Sequence, residues 1–248
     1  ASISANTGSV SFDRSVYPVP FGTGNTFLNH ATSNGGVANY LANSGDVVVH
    51  ISVADADADV SASGQDSISS SLVNVKISRG SLESANLAST TATILETAPD
   101  SAVFEYDLNI SSAIIDGSGS FPAASKVQQG DIITVTYTDA QDASGKIQTV
   151  TDSSSFDLRN GTLQADKSVY LIGSDMILTL IEPDFDLDND ETETYSLDLI
   201  EWDSDAQTTS MGPLGIGGTT GAYASFDPEP SAFRETGDST GIFQVVIE

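Results

Sequence analysis

Apolar and polar residues alternate along most of the chain. Period-two runs stand at residues 47–53, 72–77, 103–110, 132–137, 169–172, 176–181, 195–200 and 242–247. Each is rich in β-branched and aromatic residues and bounded by Gly, Ser, Asn, Asp or Pro, which is how short strands with one buried face read. No segment carries a helical period, so a parallel βαβ arrangement would lack its crossovers. The pattern predicts an all-β chain of sandwich or barrel type.

The chain also repeats itself. Asp13-Arg14-Ser15-Val16-Tyr17 matches Asp166-Lys167-Ser168-Val169-Tyr170, residues 45–59 align with residues 174–188, and residues 96–104 align with residues 235–243. Three blocks in one order make two copies of one domain. The copies are expected over residues 1–158 and 159–248. The first carries an insertion at 23–44, long enough to be a functional loop. It also has a later strand run at 130–139 with no counterpart in the second. The second copy therefore reads as truncated, with an unpaired edge that a neighbouring chain could fill. The first copy has Ala98 and Pro99 where the second has Gly237, so that turn is expected to differ in detail.

Charge changes the picture most. The chain has 35 acidic against 8 basic residues, a formal net charge of −27, while 39% apolar residues still supply a core. Such a surface repels nucleic acid and anionic lipid and attracts cations, and its self-repulsion favours a saline or calcium-containing medium. Cysteine is absent, which removes disulfides, thiolate metal sites and cysteine nucleophiles. No apolar run approaches the ~20 residues of a membrane-spanning helix, so no direct membrane insertion by this segment is expected. Asn109 and Asn160 head N-glycosylation acceptor patterns, in keeping with secretion.

Asp55, Asp57 and Asp59 recur two apart, as do Asp184, Asp186 and Asp188, with Asp190 beyond. On a strand such side chains share a face, and like charges so close need solvent, a proton or a cation. Calcium takes six to eight oxygen ligands, and the recurrence favours it over a merely solvated loop. An EF-hand is excluded by Val60 where that loop needs Gly. Glu96 and Glu235 head a second recurring block and either complete an acidic cluster or cap a turn. Asp139 and Asp142 flank another loop, where turn chemistry is favoured over metal. Catalytic machinery is sparse: His30 and His50 are the two imidazoles, and His50 reads as a packed strand residue. Residues 212–218 are Gly-rich but lack the Lys of a phosphate loop. No enzymatic activity is expected.

The Asp-x-Asp-x-Asp runs, the stretch at 235–243, the strand at 130–139 and the opening at 166–170 together resemble the immunoglobulin-like repeats of archaeal surface-layer proteins, especially those of ammonia-oxidising archaea. The resemblance implies two tandem immunoglobulin-like β-sandwich domains in a secreted, glycosylated, acidic subunit. It also implies copies of itself as partners in a two-dimensional cell-surface lattice that binds divalent cations. The alternative is a cell-surface adhesin or ligand-binding module, using the 23–44 insertion or the loop at 211–222.

Overall fold

The computed structural model describes residues 5–21, 45–89, 91–111, 119–122, 125–203, 208–210 and 228–247. The 23–44 insertion, His30 and the loops at 212–218 and 211–222 lie outside them. The chain is all-β, and no helix among the described residues is long and apolar enough to cross a membrane. It divides into two compact units, residues 1–20 with 47–157 and residues 21–46 with 158–248.

The first unit holds β1 (Ser9–Phe12), β2 (Val16–Pro18), β3 (Val47–Ala54), β4 (Ser67–Ser69), β5 (Val73–Arg79), β6 (Leu82–Glu83), β7 (Thr93–Glu96), β8 (Val103–Ile110), β9 (Ile132–Asp139) and β10 (Gln148–Asp157). They form two five-stranded sheets, in the orders β1-β3-β8-β7-β4 and β2-β10-β9-β5-β6. All pairs are antiparallel except β2 with β10. Alternation builds the sandwich-like core: Ile133, Val135 and Tyr137 of β9 are buried, as are Val73, Val75 and Ile77 of β5 and Val49, Ile51 and Val53 of β3. Each such side chain contributes about 1.5–3 kcal/mol on burial.

The second unit holds β11 (Thr162–Ala165), β12 (Met176–Ile181), β13 (Thr194–Ser196), β14 (Glu201–Asp203), β15 (Thr208–Ser210), β16 (Pro228–Glu235) and β17 (Ile242–Ile247). Its antiparallel sheet runs β11-β12-β17-β16-β13, position for position the first sheet of the first unit. The β14–β15 hairpin follows the 3₁₀ turn Leu197–Leu199 as β5–β6 follows the 3₁₀ turn Ser70–Leu72. Its core gathers Leu178, Leu197, Phe233 and Val245 around stacked Phe185 and Tyr195, whose centroids are 4.4 Å apart, with Phe243 edge-on at 5.3 Å from Tyr195. Phe21 packs on Phe185 at 6.1 Å.

Two expectations change. Residues 169–172 form no strand, and Val169, Leu171 and Ile172 are exposed. The counterpart segment β2 is a strand because β10 pairs with it, and the second unit has no such partner among its described residues. Residues 195–200 split into the end of β13 and the 3₁₀ turn. The register of the repeat also shifts. Val53 lies opposite Phe104 and Leu180 opposite Phe243, so the counterpart of Val53 is Leu180, not the Glu182 of the sequence alignment. A two-residue slip leaves every side chain on its face, so apolar periodicity is blind to it.

Two repeated knots explain the matching blocks. Tyr17 and Tyr170 each donate their hydroxyl to an aspartate four residues earlier, Asp13 and Asp166. The same carboxyl oxygens accept the N–H of His50 and of Ile177, pinning the first strand of each unit to the next. The turns at 96–104 and 235–243 share backbone bonds too: Thr97 N–H to Val103 C=O at 2.8 Å and Thr236 N–H to Ile242 C=O at 2.9 Å. The first turn differs at Asp100, which adopts φ 62° after Pro99.

Equivalent left-handed positions hold Ala102 (φ 54°) and Gly241 (φ 59°). A Cβ on Gly241 would stand 2.8 Å from Pro183 Cα. Gly241→Ala should therefore cost the second unit about 1–3 kcal/mol through overpacking. Ala102→Gly should be near neutral, because strain relief of about 1 kcal/mol is offset by the entropy of glycine. Urea unfolding of both variants checks the contrast.

Candidate functional site: recurring acidic triads

Each unit gathers three carboxylates whose oxygens lie within 4.8 Å of one another: Asp59, Asp66 and Glu96 in the first, Asp186, Glu193 and Glu235 in the second. In the structural register these are the same three positions. Asp59 and Asp186 come from the loop after β3 or β12. Asp66 and Glu193 immediately precede β4 or β13, and Glu96 and Glu235 end β7 or β16.

The local bonds match residue by residue. Glu96 Oε1 accepts N–H bonds from Ser101 (2.7 Å) and Ala102 (2.6 Å), and Oε2 accepts from Asp66 N–H (3.1 Å). Glu235 Oε1 accepts from Thr240 and Gly241, both 2.7 Å, and Oε2 from Glu193 N–H at 3.3 Å. Asp66 takes the N–H groups of Val60 and Ser61, and Glu193 those of Leu187 and Asp188. Glu96 and Glu235 are thus turn caps and cluster members at once, joining the two alternatives that the sequence left open.

The carboxylates divide the charge unequally. Burial works to raise Glu96 and Glu235, but it is outweighed in both, so each is held low. For Glu96 the N–H donors do this, while for Glu235 the hydrogen bond with the Glu193 side chain comes first and the N–H donors follow. Glu193 is pushed up, chiefly by burial and then by Glu235 beside it. Asp59 is raised by desolvation and by Glu96, Asp100 and Asp66. Glu193 Oε2 is fully enclosed and accepts no hydrogen bond. An anionic oxygen in that position calls for a proton or a cation.

Of the residues singled out in the sequence, Asp59, Glu96, Asp186 and Glu235 are brought together. Asp55 instead accepts the Tyr137 hydroxyl at 2.6 Å and Asp57 N–H, and Asp57 accepts Asn6 N–H. Asp184 pairs with Arg159 through Nε at 3.1 Å and the backbone N–H at 2.7 Å. Asp188 accepts Asp190 N–H in a turn. Asp139 takes Gln141 N–H within its turn and Gly8 N–H from a distant segment, and Asp142 takes Ser144 and Lys146 N–H within its turn. His50 is buried in β3 with Nδ1 2.8 Å from Asp107. Asn109 and Asn160 are exposed.

Sequence reasoning missed Asp66 and Glu193. A signal existed, since each follows its aspartate by the same seven-residue spacing, Asp59 to Asp66 and Asp186 to Glu193. The exchange of Asp for Glu and the two-residue misalignment hid it. No protein-family model matches the chain, and no curated protein matches it.

Proposed function

We propose that the chain is a structural, non-catalytic piece of a secreted acidic cell-surface layer, built of immunoglobulin-like repeats of the archaeal surface-layer type and assembled with copies of itself. Calcium or another divalent cation sits at the two triads and stiffens each unit. The net charge of −27 concentrates cations at the surface. The observation that carries the reading is the recurrence of one partly buried acidic triad at equivalent positions of both units. In the second, the enclosed Glu193 carboxyl lies against that of Glu235. Three carboxylates leave room for the carbonyl and water ligands that calcium also takes.

Thermal unfolding with and without calcium tests this. Trp202, the single tryptophan, reports on the second unit, and far-ultraviolet circular dichroism reports on both. A cation at 100 times its Kd stabilises the native state by about 2.7 kcal/mol, which raises Tm by several degrees. Asp59→Asn and Asp186→Asn should each abolish the gain in their own unit. No shift on adding calcium would sink the metal assignment.

The pH dependence has a definite sign. The folded-state value of Glu193 is raised, so its contribution is full below the unfolded Glu value and is lost as pH rises through the folded one. Without metal, the second unit should weaken over that window, as Glu193 ionises beside Asp186 and Glu235. Calcium requires the ionised form, so its stabilising increment should grow over the same window.

A further inference from the structure

Alternation leaves a polar outer face on the second sheet of the first unit. Val73, Val75 and Ile77 of β5 turn into the core, as do Ile133, Val135 and Tyr137 of β9. The residues between them, Asn74, Lys76 and Ser78 on one strand and Thr134 and Thr136 on the other, therefore stand outward. Pairing sets Asn74 opposite Thr136 and Lys76 opposite Thr134, and β6 adds Glu83 opposite Ser78. These six residues line a hollow of about 420 Å³. A second hollow of about 410 Å³ shares Lys76 and Glu83 and continues past β6 to Ser81, Asn86 and Ser120. Both fall in the range of about 300–1,000 Å³ that small ligands occupy.

The trough is built on fixed backbone. Ser120 Oγ accepts Glu83 N–H at 2.7 Å, Ser120 N–H donates to Glu83 C=O at 2.8 Å, and Asn86 Oδ1 accepts Val75 N–H at 2.9 Å. Side chains carried on paired strands hold their geometry better than side chains on loops. Several have hydrogen-bonding capacity to spare: among the described residues, the side chains of Asn74, Ser78, Ser81 and Thr136 make no hydrogen bond.

The lining decides the class of ligand. No aromatic or large aliphatic side chain lines either hollow, so the apolar anchors that hold a peptide are absent from it. Its one cation, Lys76, pairs with its one carboxylate, Glu83, at 3.2 Å. An ionic ligand would meet no net opposite charge there, and the net charge of −27 repels anions further. The groups that remain are hydroxyls and an amide, which donate and accept alike. Their complement is an uncharged molecule dense in hydroxyls. One such hydroxyl can accept from the Lys76 ammonium while donating to the Glu83 carboxylate, and hydrogen bonds to charged groups are the stronger kind.

We infer that this trough binds a neutral oligosaccharide, with one sugar ring in each hollow and the Lys76–Glu83 pair between them. No member of the acidic triads lines it, so binding here is independent of any cation.

The test is titration of the ¹⁵N-labelled 248-residue chain with maltotetraose, cellotetraose and mannotetraose, with tetragalacturonate as the charged control, followed by amide chemical shifts. The expected result is saturable shifts with at least one neutral sugar, centred on residues 74–86, 119–120 and 134–136. Added salt should leave that Kd unchanged, because no net charge is neutralised. Asn74→Ala and Thr136→Val should each weaken binding about fivefold, the loss of one net hydrogen bond, with the urea midpoint of the first unit unmoved. Four outcomes would each overturn the inference: no shift with any neutral sugar, shifts centred outside the trough, an unchanged Kd in both variants, or tetragalacturonate binding as tightly as the neutral sugars.

Discussion

Replacing Arg79 with Ala should destabilise the first unit by about 3–5 kcal/mol, a large share of the ~5–15 kcal/mol that holds a domain together. Asp131 is 0% exposed, and Arg79 grips it with Nε to Oδ1 at 2.6 Å and Nη2 to Oδ2 at 2.7 Å. Without the guanidinium, Asp131 keeps only the Gln128 N–H at 2.8 Å and remains a buried charge with little compensation. The reverse variant, Asp131→Ala, should cost less. The Arg79 side chain is 32% exposed, also donates to Lys126 C=O and lies over the Phe121 ring, so water and those contacts can hold it. Asp131→Leu combined with Arg79→Leu should recover most of the loss, because a well-packed apolar pair replaces a buried ion pair at little net cost. Urea unfolding followed by circular dichroism reads the effect. Trp202 should be unmoved, since it lies in the other unit. Equal losses for Arg79→Ala and Asp131→Ala would contradict the asymmetry.

Glu235→Ala should cost the second unit about 3 kcal/mol, since it strands the Thr240, Gly241 and Glu193 N–H groups, and a buried unsatisfied donor costs about 1–3 kcal/mol. Thr240 is exposed, and water should relieve part of its share. Glu235→Gln keeps a carbonyl oxygen for Thr240 and Gly241, so it should lose less than half as much. The Gln variant also removes one triad charge, so calcium should stabilise it less than it does the parent. The two readouts separate the residue's roles. If Glu235 is only a turn cap, Glu235→Gln leaves the calcium increment unchanged. If it is also a ligand, the increment falls while the metal-free Tm moves little. The Trp202 midpoint in urea, with and without calcium, measures both.

Much of the fold was legible because strands write themselves into sequence with period two. The runs at 47–53, 103–110, 132–137, 176–181 and 242–247 all lie within strands. The repeat was legible because its blocks carry polar knots, Asp13 with Tyr17 and Glu96 with the turn that follows it, which demand particular residues at particular spacings. Two of the three members of each triad were visible, Asp59 with Glu96 and Asp186 with Glu235. The missing members, Asp66 and Glu193, sit in irregular chain just before short strands, where no periodicity marks them. The Arg79–Asp131 pair was invisible for a different reason. Its members are 52 residues apart and meet because β5 and β9 pair with Ser78 opposite Ile132.

The sequence by itself determined the all-β character, the recurring blocks, the acidity and the absence of thiol chemistry, because these follow from local alternation, self-similarity and residue counts. Tertiary structure alone decided which acids meet. A slip of two residues along a strand keeps each side chain on its face and leaves the hydrophobic pattern untouched, yet it moves each carboxylate past a different neighbour. Only the paired ladders, Val53 with Phe104 and Leu180 with Phe243, set that register. They place Asp59 beside Asp66 and Glu96, and Asp186 beside Glu193 and Glu235.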